Sequence, residues 1–95
     1  MTTINTFPPG TEISGADIPG LTSRDSVLVE NDRHWSLVID RRSRIIMADG
    51  RRLLGKIRNV QAEMPNITIN IKTSAPVCSK TRAFLKEQSV AVLPL

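Results

Sequence analysis

The most regular pattern in the chain is the alternation at 66–72. Ile67, Ile69 and Ile71 stand between Asn66, Thr68, Asn70 and Lys72. A period of two puts every apolar side chain on one side of an extended backbone, so this stretch predicts a strand with one buried face. Ser26–Glu30 (SVLVE) predicts a second, shorter strand. After it, Asn31 can cap a helix, Asp32 favours the positive end of a helix dipole, and Trp35, Val38 and Ile39 fall at i, i+3 and i+4. That spacing favours a short helix over 31–39. The competing reading is a strand from His34 to Asp40 with a turn at Arg41–Ser43.

The stretch 51–64 admits two readings. As a helix, its apolar set is Leu53, Leu54, Ile57, Val60 and Met64, with Pro65 ending it. Gly55 in the interior and β-branched residues at 57 and 60 oppose that. As a strand, Leu53, Gly55, Ile57 and Asn59 share one face, and Gly55 permits a bend. Asp49-Gly50 then becomes a hairpin turn after Arg44–Ala48. Periodicity alone leaves both open.

Residues 1–23 are rich in Thr, Ser, Pro and Gly, with apolar spots at Phe7 and Ile18 but no period. They read as a flexible arm before a domain at 24–95. Ninety-five residues make one domain with a modest core. No apolar run approaches a membrane span and no signal segment opens the chain, so a soluble chain of the cytoplasm or nucleus is expected, with no membrane partner. The single Cys78 suits a reducing compartment, and no Cys/His cluster suggests a metal. No cofactor is implied.

Charge is unevenly spread. Residues 1–40 hold two bases against six acids, a balance of −4, while residues 41–95 hold eleven bases against three acids, a balance of +8. Arg41, Arg42, Arg44, Arg51, Arg52, Lys56 and Arg58 cluster within this half. Such a cluster suits phosphates or an acidic partner, or is a solvated face. With Phe7, Trp35 and Phe84 as the only aromatic residues, stacking on single-stranded bases is poorly served.

Arg44–Ile57 (RIIMADGRRLLGKI) resembles the first signature of the Sm and Sm-like family: a strand, a D/N-G-R/K turn, an apolar position and a glycine. Gln61–Asn66 and Phe84–Val90 are similar to the rest of its two signatures, and Ala91–Leu93 to its final strand. The resemblance implies a mainly β fold, with a short N-terminal helix and five bent antiparallel strands in a small open barrel. Arg82–Lys86 and Val90–Leu93 would be its last two strands. Adjacent subunits of that family pair their edge strands. Phe84, Leu85, Val90, Val92 and Leu93 are therefore the expected partner interface, with other Sm-fold proteins and a larger scaffold as partners.

The family's uridine-binding positions are altered. Gln61 stands where the family has Asp, Pro65 or Asn66 where it has Asn, and Lys86-Glu87 where it has Arg-Gly. Lys lacks the guanidinium fork, and a carboxylate repels phosphate. Asn66, Lys86, Arg51 and Arg52 remain the candidate RNA contacts. The worn pocket implies a non-catalytic scaffold, as in the Gemin-type subunits of the SMN complex that assemble spliceosomal snRNPs. The alternatives are the Sm-like auxiliary subunit of the NatC acetyltransferase and an oligo-uridine-binding ring subunit. A cysteine-protease reading of His34, Asp49 and Cys78 is weaker: only 29 residues separate Asp49 and Cys78, and no oxyanion-type Gln precedes Cys78.

Overall fold

A computed structural model describes residues 10–31 and 33–95. Phe7 and the capping role expected of Asp32 lie outside these residues. In chain order the elements are β1 (Glu12–Ser14), a 3-10 turn (Gly15–Asp17), β2 (Ser26–Val29), β3 (His34–Ile39), α1 (Met47–Glu63), β4 (Thr68–Thr73), α2 (Ser79–Glu87) and β5 (Val92–Pro94). The five strands form one sheet in sequence order. β1, β2 and β3 pair antiparallel; β3, β4 and β5 pair parallel.

The second half is therefore two successive β-α-β crossovers that advance in one direction. Right-handed connections then put both helices on the same side of the sheet. The strands alternate to match. Ile13, Val27, Leu37, Ile71 and Val92 lie in register across the sheet, and all but the half-buried Val92 belong to the buried core. Trp35 sits between Val29 and Ile69 in the next row. The opposite face carries Glu12, Ser26, Leu28, Ser36, Val38, Asn70 and Lys72. On that side Glu30 accepts from the Ser36 hydroxyl and pairs with Lys72.

Helix α1 exists because Leu53, Ile57 and Val60 form a buried stripe, with Leu54 and Met64 packed at its margin. Its backbone ends before Pro65. In α2, Thr81 and Leu85, one turn apart, face inward. The two helices meet where Gly50 lies against Thr81: a Cβ at position 50 would stand 2.6 Å from Thr81 Cγ2.

Several expectations are corrected. The sheet has five strands, but it is mixed, and the helices lie in the middle and late chain instead of at the N-terminus. Residues 34–39 form a strand, not a helix, because pairing with both β2 and β4 buries Trp35 and Leu37 on one face. Asp49-Gly50 is not a hairpin turn. Both residues belong to the first turn of α1, so the glycine answers to Thr81 and not to a bend. Residues 82–86 lie in α2. The stretches that resembled the Sm signatures, 44–57 and 84–90, are thus largely helical. Part of the expected arm is also folded. Ile13 in β1 and Ile18 after the 3-10 turn are buried, and the Gly15 N–H donates to the Asp25 carbonyl at 2.7 Å.

Candidate functional site

The loops leaving β3 and β4 run side by side and lead into the two helices. They are laced together by backbone bonds. Ile45 N–H donates to the Pro76 carbonyl at 2.9 Å, and Cys78 N–H donates to the Ile45 carbonyl at 3.0 Å. Thr73 Oγ1 donates to the Ile39 carbonyl at 2.7 Å, and the Ser74 hydroxyl donates to Asp40 at 2.6 Å. Ile45 is buried, so it anchors the first loop to the core.

Arg41 holds that loop from outside. Its Nε donates to the Ser43 carbonyl at 3.1 Å, and its Nη2 donates to the Arg44 carbonyl at 3.1 Å and to Asp49 Oδ2 at 2.8 Å. Asp49 also accepts from the Ile46 N–H at 3.0 Å and from Arg52 at 3.2 Å. The Ile46 amide, then the Arg41 and Arg52 charges, outweigh partial burial and keep the Asp49 carboxyl below its usual pKa.

Ile46 itself occupies the cap position of α1 and is 50% exposed. It has no acceptor to offer the free amides of the first turn, and Asp49 reaches back only to the N–H of Ile46 itself. Cys78 holds the equivalent position before α2. The Thr81 and Lys80 amides, with Arg44 nearby, keep its thiol below the ordinary value.

This end of the molecule gathers Arg41, Arg42, Arg44, Arg51, Arg52 and Lys80 around Ile46, against Asp40 and Asp49. Arg51 and Arg52 are the two expected contacts found here. Asn66 lies in the connection after α1, and Lys86 in the last turn of α2. A 17-residue helix rises about 25 Å, so these two sit away from Arg51 and Arg52 and the four do not line one pocket. His34 begins β3, beside Asn31, whereas Asp49 and Cys78 stand beyond the strand's other end. The constellation of a cysteine protease is therefore not assembled.

The expected partner interface is also redistributed. Leu85 and Val90 are core residues, and Phe84 packs partly against the core. Val92 and Leu93 do lie in the edge strand β5, but that edge is blunted. Arg82 donates to the Val92 carbonyl at 3.1 Å, and Pro94 has no N–H. A cavity of about 240 Å³ lies there, lined by Arg82, Lys86, Val90, Ala91 and Val92. A larger one, about 490 Å³, opens on the uncovered sheet face by Glu12, Arg24, Leu28, Val38 and Asp40.

Sequence reading identified the arginines but missed Ile46, Lys80 and the Arg41 latch. The signal for Ile46 is its position: an isoleucine stands where a helix start favours Ser, Thr, Asp or Asn. That is visible only once the helix start is known. Among the described residues, no group of three or more His, Cys, Asp or Glu is placed to hold a metal ion, and no helix is long and apolar enough to cross a membrane. Comparison with family models, curated proteins and solved structures finds no match.

Proposed function

We propose that this chain is a non-catalytic docking subunit of a larger assembly, holding a protein partner on the surface where α1 and α2 begin. The observation that carries this reading is Ile46. A polar cap there would stabilise α1 by about 1 kcal/mol relative to an apolar residue. Half of the isoleucine stays exposed instead, and that half is available as an apolar anchor for a partner. The surface is also pre-ordered, because the two laced loops and the Arg41 latch fix Ile46 before any partner arrives.

The complexes implied by the Sm resemblance are not carried into this proposal. The Gemin-type, NatC and oligo-uridine ring roles all rest on the bent, edge-pairing strands of the Sm fold, and residues 44–57 and 84–90 offer largely helices instead. Direct RNA binding is the second reading, favoured by the arginines at the same end. The test is to purify the tagged full chain from its own cells with and without RNase. Docking predicts protein partners that survive RNase. Partners lost on RNase treatment would overturn it in favour of RNA.

A further inference from the structure

We infer that the partner presents an acidic segment carrying an apolar residue, which seats on Ile46 between Arg44 and Lys80. This rests on the docking reading above and adds the partner's chemistry.

The first support is charge. Six bases share this end with two acids, and only Asp40 keeps an unpaired carboxylate among the described residues. Asp49 is bound to Arg41, Arg52 and the Ile46 amide, and Asp40 accepts from Ser74. Arg42, Arg44, Arg51 and Lys80 are exposed, and none of them is ion-paired among the described residues. Four bases elsewhere are engaged within the fold. Lys56 binds Asp25, Lys72 binds Glu30, Arg58 donates to Gln88, and Arg82 donates to the Val92 carbonyl. Arg24, Arg33, Arg58, Arg82 and Lys86 also have no ion pair among the described residues, but they are spread over the rest of the fold, whereas Arg42, Arg44, Arg51 and Lys80 are gathered around Ile46. The starts of α1 and α2, which follow neighbouring parallel strands, add their positive partial charges to the same side.

The second support separates protein from nucleic acid. A sugar-phosphate backbone gives an aliphatic side chain nothing to pack on. Base stacking is served best by exposed aromatic rings, with arginine a lesser platform, and among the described residues Trp35 is buried and Phe84 packs against the core. An acidic peptide meets both features. Its apolar residue covers Ile46, and its carboxylates take the fork of Arg44 and the ammonium of Lys80.

The test uses the tagged full chain in its own cells, treated with RNase. A carboxyl-to-amine coupling reagent joins Lys80 to whatever acid faces it, and mass spectrometry reads the joined segment. In parallel, Arg44→Glu/Lys80→Glu is compared with Arg33→Glu/Arg58→Glu, which reverses two charges elsewhere. The inference predicts an acid-rich segment joined to Lys80. It also predicts partner recovery about tenfold lower for the first pair and nearly unchanged for the second. Equal losses in both pairs, or a joined segment without clustered acids, would overturn it. If Ile46→Ser leaves capture intact, the docking reading itself fails. If Ile46→Ser abolishes capture but Arg44→Glu/Lys80→Glu does not, only the acidic partner is excluded.

Discussion

Gly50 and Gly55 stand in the same helix and do opposite things. Gly50 is buried against Thr81, where a Cβ would meet Cγ2 at 2.6 Å, whereas nothing lies within 4 Å of a Cβ built at Gly55. The first turn of α1 is shaped by its tight meeting with α2 and by the display of Ile46. The later turns are shaped by burial of one stripe, and Gly55 stands on their open side. The same element therefore answers to two demands along its length: placement at its start, burial beyond it.

That contrast can be broken at either end. The largest effect belongs to the stripe. Ile57 is 1% exposed in the core, so Ile57→Ala should lower unfolding free energy in urea by about 2–5 kcal/mol. A loss well below that would mean that the stripe does not anchor the helix. At the first turn, Gly50→Ala should cost about 1–3 kcal/mol through overpacking. Adding Thr81→Ser removes the opposing methyl and should restore most of the loss. A double variant as unstable as the single one would place the strain elsewhere.

Asp49→Ala should cost about 1 kcal/mol, as for the loss of a helix cap. Because the folded carboxyl sits below its ordinary pKa, the Asp49 contribution is present above about pH 4. It is lost as pH falls through the depressed folded value. The stability gap between wild type and variant should therefore narrow in acid, and a gap that stays constant would contradict the assigned bonds. The smallest effect has the opposite sign. Gly55→Ala should stabilise by about 0.5–1 kcal/mol in thermal unfolding, since the position is helical and open.

Much of the fold was legible as isolated elements. The alternation at 66–72 marks β4, observed at Thr68–Thr73, and SVLVE marks β2. The helix reading of 51–64 named the stripe that is buried, and its Pro65 boundary holds. What misled was short-range evidence with two meanings. Trp35 and Ile39 fit both a helix spacing with Val38 and a strand spacing with Leu37, and six residues are too few to choose. Asp49-Gly50 signals a hairpin only if strands flank it. The parallel pairing of β3 with β4 joins residues far apart in the chain, and no local pattern announces it.

The candidate site was legible as charge but not as shape. Arg51 and Arg52 stand at the docking end as part of a basic cluster that the sequence displays openly. Asn66 and Lys86 match loops of a barrel only through the resemblance, and with those segments placed around helices they share no site with Arg51 and Arg52. Ile46 was hidden among other apolar residues, because its oddity depends on where α1 begins.

The most direct test of the central claim is Ile46→Ser, with melting temperature and partner recovery measured on the same preparation. A serine there can cap the first turn, so the variant should melt at the same temperature or higher while losing its partner. A variant that keeps its partner, or that loses it only by unfolding, would show that Ile46 serves the fold and not a docking surface.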